Sequence, residues 1–168
     1  MRWIWIDRFE EFHSGKSATA IKMVSRAEDH LYEQTPLYPV MPHSLILEGL
    51  AQTGGILLGE ANDFKEKVVL AKITSASFFD HAVPGDELRY IAKLVDIRTE
   101  GGLAECQVLK NGTLMAQAEI FFAHVDQSRS QEMALPQENF VFGQGHLSEM
   151  IKKARAMTPR DSIDTTTT

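Results

Sequence analysis

Residues 29–60, DHLYEQTPLYPVMPHSLILEGLAQTGGILLGE, decide how the rest of the chain reads. Pro36, Pro39 and Pro42 fall within seven residues. Each removes a backbone donor and pushes its predecessor into an extended conformation, so this part reads as a rigid loop. Beyond it the spacing predicts a helix from His43 or Ser44, either of which can cap it, to about Ala61, where Asn62-Asp63 stops it. Before Glu60, Glu48 is the only charged side chain on that helix. Leu45, Glu48, Gln52, Gly55 and Gly59 share one stripe, while Ile46, Leu47, Leu50, Ala51, Ile56, Leu57 and Leu58 cover most of the remainder. A helix so apolar is covered nearly all round. Gly54, Gly55 and Gly59 each cost about 1 kcal/mol of helix stability relative to alanine. They predict close approach of another backbone or of a ligand along the stripe.

The flanks supply strands. Trp3 to Phe9 reads as a short first strand, Ser14-Gly15-Lys16 as a turn, and Ser17 to Ser25 as a second strand of period two. From Val68 to Val125 the runs VVLAKITSASFF, ELRYIAKLVDIRT, AECQVLK and LMAQAEIFFAHV are separated by Pro84-Gly85-Asp86, Glu100-Gly101-Gly102 and Asn111-Gly112, the last a strong hairpin signal. Two strands, one buried helix over about residues 43–61 and three or four more strands describe an α+β fold, a curved antiparallel sheet wrapped around a central helix. This places one domain at residues 1–126. Residues 127–168 form a polar extension, a linker followed by a helix at 146–157 whose stripe of Leu147, Met150, Ile151, Ala154 and Met157 either docks on the domain surface or serves as a partner-binding appendage. Thr165 to Thr168 are expected to be disordered.

Composition narrows the function. A formal charge of −6 argues against general nucleic-acid binding, which needs a basic surface. Cys106 is the single cysteine, so neither an internal disulfide nor a cysteine-based metal framework is available, and the reducing cytoplasm fits best. The histidines show no metal-ligand spacing, and no phosphate-cradling glycine loop occurs, so neither a metal nor a cofactor is expected. The apolar run Trp3 to Ile6 is too short for a signal-peptide core, and no segment reaches the ~20 apolar residues of a membrane span.

A carboxylate on an apolar helix must find hydrogen bonds, face a solvated cleft or hold its proton, because an isolated buried charge is strongly unfavourable. All three states suit a catalytic acid. The plain alternative is a structural tie between Glu48 and Gln52, one turn away on the same face.

Pro39-Val40-Met41-Pro42, the run LILEGLAQ from Leu45 to Gln52 and Gly54-Gly55 resemble the signature of the hot-dog-fold 3-hydroxyacyl-acyl carrier protein dehydratases of the FabZ/FabA type. Val83-Pro84-Gly85-Asp86 is similar to a second piece of that family, in the right order, and the likeness covers about residues 1–126. It implies a lyase of fatty acid biosynthesis acting on an acyl carrier protein or CoA thioester. It also implies a homodimer with paired sheets and acyl tunnels at the interface, with a hexamer as a trimer of dimers the larger assembly. In the family a histidine removes the α-proton, a helix carboxylate from the other subunit helps the 3-hydroxyl depart, and N–H groups at the helix start polarise the carbonyl. Carried onto this chain, the carboxylate is Glu48 and the helix-start donor is the N–H of His43, with Met41, Pro42 and Gln52 beside the substrate. The segment that should read His-Phe-Pro reads Gln34-Thr35-Pro36, and His43 stands where the family has glycine.

Glutamine has no lone pair basic enough to take an α-proton, so a chain relying on Gln34 should lose the ~100 to 10,000-fold that general-base catalysis contributes. His30 and His43 are the nearby imidazoles: His30 shares a face with Gln34 if the strand continues, and His43 can swing into the site. Each has a plain alternative, His30 bonded to Asp29 or backbone and His43 lying at the entrance without chemistry. Two further functions compete with the dehydratase. One is a hot-dog thioesterase in which Glu48 activates water; the other is a non-catalytic acyl-binding paralogue. Cys106, in a strand with no partner motif, reads as a core thiol.

Overall fold

A single long helix and six strands form the body of the protein, and its computed structural model describes residues 3–31, 38–134 and 143–158. In chain order the elements are β1 (Arg8–His13), β2 (Ser17–Met23), α1 (His43–Ala61), β3 (Lys67–Phe78), β4 (Glu87–Arg98), β5 (Gly101–Lys110), β6 (Thr113–Val125), α2 (Gln127–Glu132) and α3 (Gln144–Met157). The strands form one sheet in the order β1-β2-β4-β5-β6-β3. Every neighbouring pair is antiparallel. This is the hot-dog fold, with α1 held by the inner face of the sheet.

Period-two alternation sets that inner face. Leu88, Tyr90 and Ala92 of β4, Ala104, Cys106 and Val108 of β5, and Ala116, Ala118, Ile120 and Phe122 of β6 are buried in one core with Ile46, Leu50, Leu57 and Leu58 of α1. Full burial of each large aliphatic side chain contributes ~1.5–3 kcal/mol. At Gly54 the close approach that the sequence predicts is made by an aromatic ring of the same chain, and Gly49, outside that prediction, shows the same. A Cβ at Gly49 would lie 2.5 Å from Tyr90 Cζ, and one at Gly54 would lie 2.9 Å from Phe122 Cε2. At Gly55 a methyl group would meet only ordinary contact, at 3.5 Å. Asn111 and Gly112 both take positive φ, 48° and 87°, the two-residue turn that joins β5 to β6.

Several boundaries differ from the sequence reading. Residues 3–7 are not a strand; β1 begins at Arg8. Trp5 and Ile6 are consecutive yet both buried, and the Trp5 N–H bonds to the Gln52 side chain instead of to a ladder. Asp7 then fastens this segment to β2, its N–H donating to Ile21 O at 2.7 Å and its Oδ2 accepting from Met23 N–H at 2.7 Å. β2 stops at Met23, short of Ser25. Neither His43 nor Ser44 caps α1: the cap position is Pro42, and no side-chain bond closes it. His30 opens a helical turn and does not continue a strand.

The polar stretch after Asp126 contains α2, whose first turn is closed by Asp126 Oδ1 accepting from the Arg129 N–H at 2.8 Å. That bond, with the Ser128 hydroxyl, holds the Asp126 carboxyl below the usual carboxylate range. α3 buries Leu147, Met150, Ile151 and Ala154, whereas Met157 is exposed. It lies against β1: Thr158 Oγ1 accepts the Phe12 N–H at 3.0 Å, and the Arg155 guanidinium stands over the Phe12 ring and pairs with Glu60. Gln34 and Thr165 to Thr168 lie outside the described residues.

Candidate active site

Glu48 is half-buried on the second turn of α1. Its Oε1 accepts a hydrogen bond from Gln52 Nε2 at 3.1 Å. The same Nε2 donates to the Trp3 carbonyl at 2.8 Å, and Gln52 Oε1 accepts from the Trp5 N–H at 2.9 Å. The carboxylate is thus neither loose in solvent nor sealed, and the glutamine beside it is fixed from both ends by main chain of residues 3–5.

The start of α1 is a second feature. Its first intrahelical donors are Leu45 and Ile46, both reaching Pro42 O, so the N–H groups of His43 and Ser44 stand outside the helical ladder at the positive pole of the dipole. The first turn carries no acidic residue to occupy that pole. Such a pole suits a carbonyl oxygen that gains negative charge.

The His43 ring lies flat against Phe78, with centroids 4.1 Å apart and planes 3° apart, and His81 stacks on it at 5.1 Å. A ring held face to face by two others does not swing freely. No hydrogen bond joins His43 to Glu48 among the described residues. Met41 is fully buried and its N–H donates to Ala82 O at 2.8 Å, so it anchors the loop in the core; Pro42 is half-buried.

His30 belongs to a different cluster. Its Nε2 lies 3.4 Å from Glu28 Oε2, so the carboxylate beside it is Glu28 and not Asp29. Glu28 Oε1 accepts from the buried Lys22 ammonium, which also lies 3.6 Å from Asp7. The His30 ring meets Trp5 edge to face at 5.0 Å. Through Trp5 this cluster adjoins Gln52 and hence Glu48. Tyr90, fully buried against Gly49, borders the same charges: burial first, then Asp7 and Glu28, raises its phenol well above the usual range. Cys106 is a buried core thiol pushed up to about 12 by burial and by Glu105, which leaves it without thiolate character at neutral pH.

Sequence reasoning misses the contribution of Trp3, Trp5, Tyr90, Phe78 and His81. The alternation Trp-Ile-Trp-Ile does place both indoles on one side, where they meet at 5.3 Å, but nothing local shows that their backbone reaches Gln52. The described residues hold no group of three His, Cys, Asp or Glu side chains arranged for a metal ion. No helix among them is long and apolar enough to cross a membrane.

Comparison with known proteins gives a consistent picture. Residues 3–119 match the FabA-like domain family. The 3-hydroxyacyl-acyl-carrier-protein dehydratase FabZ of Listeria monocytogenes is 38% identical over 122 residues, which are 72% of this chain and 85% of that protein. Among solved structures, the dehydratase heterocomplex ApeI:P from Xenorhabdus doucetiae superposes with a TM-score of 0.66 at 14% identity over 80% of this chain and 91% of that one. A thioesterase superfamily member from Thermus thermophilus gives 0.62 at 14% identity, over 73% and 90%. At such identities the structures establish the fold alone.

Proposed function

The chain belongs to the FabA-like domain family, and from that premise we propose that it is a hydro-lyase converting 3-hydroxyacyl thioesters on acyl carrier protein into trans-2-enoyl thioesters in fatty acid biosynthesis. The observation that carries this reading is Glu48: a half-buried carboxyl on an apolar helix, oriented by Gln52 and one turn from a helix pole whose first N–H groups lie outside the helical ladder.

In this reading the thioester carbonyl accepts from the His43 N–H, which stabilises the enolate that forms when the α-proton leaves. Glu48, protonated, gives its proton to the 3-hydroxyl, which departs as water. The α-proton goes to an imidazole. His43 is held flat against Phe78 and His81. His30 has the Glu28 carboxylate beside its ring, the pairing that stabilises an imidazolium formed by proton capture. We therefore assign the base to His30 in place of the family histidine, with Gln34 left to polar contact.

The site is completed by a second copy of the chain. β3 is an edge strand of 12 residues, half-buried or exposed along its whole length, with Leu70 and Ile73 open to solvent. Exposed edges of that length are normally covered, and pairing β3 with β3 would bring two copies of α1 together. A hexamer is the same dimer repeated three times. A single, buried thiol suits a reducing cytoplasmic setting.

The test is direct. Purified protein supplied with 3-hydroxyacyl carrier-protein substrates of several lengths is expected to form the enoyl product, and Glu48→Gln to abolish it. Release of free thiol with no enoyl product would mark a thioesterase, and binding without turnover a non-catalytic acyl carrier. Light scattering on the same samples counts the copies, with Ile73→Asp expected to give monomers.

A further inference from the structure

Gln52 can make only a fixed set of bonds: two N–H donors on one side of the amide and one carbonyl acceptor on the other. Both donors are committed, to the Trp3 carbonyl at 2.8 Å and to Glu48 Oε1 at 3.1 Å, and the carbonyl takes the Trp5 N–H at 2.9 Å. The amide has one sensible orientation. Turned over, its oxygen would face two other oxygens and its NH2 would face an N–H. The main chain of residues 3–5 therefore dictates that Glu48 meets a donor.

That main chain is itself anchored. Asp7 is bonded to Ile21 and Met23 of β2, and Trp5 is 6% exposed, with its ring against His30. We propose that residues 3–7 form a strap whose role in the reaction is to hold Gln52, and that Gln52 is a positioning residue for Glu48, not a substrate contact. The consequence is stereochemical. Glu48 Oε1 is occupied by the Gln52 N–H, so Oε2 is the oxygen that carries the proton to the leaving hydroxyl. The inference rests on the dehydratase reading for its kinetic part and on the strap geometry alone for its spectroscopic part.

The strap offers its own probe, because Trp3 and Trp5 are the two tryptophans of the chain. In Gln52→Leu, which keeps bulk and removes all three bonds, the tryptophan emission is expected to shift to longer wavelength as Trp5 loses its seat, whether or not the protein is active. With 3-hydroxyacyl substrate, kcat is expected to fall roughly 10- to 100-fold, the scale on which a misplaced catalytic group slows a reaction. KM should stay within about twofold, since an interaction that matters only in the transition state lowers kcat without weakening ground-state binding. Trp5→Pro removes the N–H at the other end of the clamp together with the reporting indole, so it should reproduce the kinetic effect, the fall in kcat at nearly constant KM. The double variant should be no slower than either single one, as expected for groups acting through one another.

A KM that rises while kcat holds would make Gln52 a substrate contact and overturn the proposal. Losses that multiply in the double variant, or unchanged emission in Gln52→Leu, would do the same. Should Trp5→Pro not fold, as judged by circular dichroism, deletion of residues 1–3 takes away the Trp3 carbonyl and replaces it in the cycle. If the wild-type protein turns over no substrate, the dehydratase reading fails by itself, and the emission shift still decides the clamp.

Discussion

The two sides of α1 solve opposite problems. On one, Gly49 and Gly54 leave notches filled by the rings of Tyr90 and Phe122, so helix and sheet approach more closely than any side chain would allow. On the other, Glu48 and Gln52 are half-buried and fully directed by hydrogen bonds. The first side is about volume and tolerates no added atoms. The second is about direction, and its residues carry little of the stability. The proposed function and the fold thus fall on sides of one helix related by a rotation, and variants on the two sides should separate them in solution.

The largest effect is expected at Glu48. Glu48→Gln keeps shape and hydrogen-bonding capacity, so enoyl formation should fall by ~100 to 10,000-fold, while the unfolding free energy from urea titration changes by no more than ~0.5 kcal/mol. A large loss of stability would show that the directional side also holds the fold. Next is Gly49→Ala. Its methyl group would enter the space of the buried Tyr90 ring, and overpacking of that kind costs ~1–3 kcal/mol, partly offset by alanine's better helix propensity. Unchanged stability would mean that the ring can withdraw and that the notch is not required.

The packed side also predicts a pH dependence. Cys106 is pushed up to about 12 by burial, whereas a thiol in the unfolded chain titrates near 8.5. Above that pH the folded state keeps a proton that the unfolded state has lost, so stability is fully present below about 8.5 and falls as pH rises towards 12, by ~1.4 kcal/mol per pH unit for this group. Tyr90, raised in the same way, adds to the loss above about 10. Urea titrations of Cys106→Ala across this range should show the flatter slope. The smallest effect is Tyr90→Phe. The Tyr90 hydroxyl is buried with no hydrogen-bond partner among the described residues, so its removal is expected to leave stability unchanged or raise it by ~1 kcal/mol. A loss of more than that would reveal a bond the hydroxyl makes in solution.

What could be read from the sequence follows this division. The extent of α1 was legible because an apolar run bracketed by Pro42 and Asn62 has few alternatives, and the β5–β6 hairpin because Asn111-Gly112 favours one turn. Glu48 stood out as a lone charge, and Gln52 followed from helical spacing. The rest depends on distant partners. Trp3 to Ile6 alternates like a strand, and only the demand of Gln52, 47 residues beyond Trp5, takes it out of the ladder. The stack of His43 on Phe78 and His81 brings together three residues with no local relation. Gly54, which suggested close approach of a backbone or a ligand, is the seat of the Phe122 ring, because one-dimensional spacing does not say what arrives from the facing strand.

The seating of α3 on β1 has a bearing on assembly. With the Phe12 N–H bonded to Thr158 and the helix roofing that margin, β3 is, among the described residues, the edge left open for extending the sheet. Two copies joined there would finish with both outer selvedges already hemmed, so the sheet itself would stop at a pair instead of running on into a ribbon, whatever number of pairs then assembles.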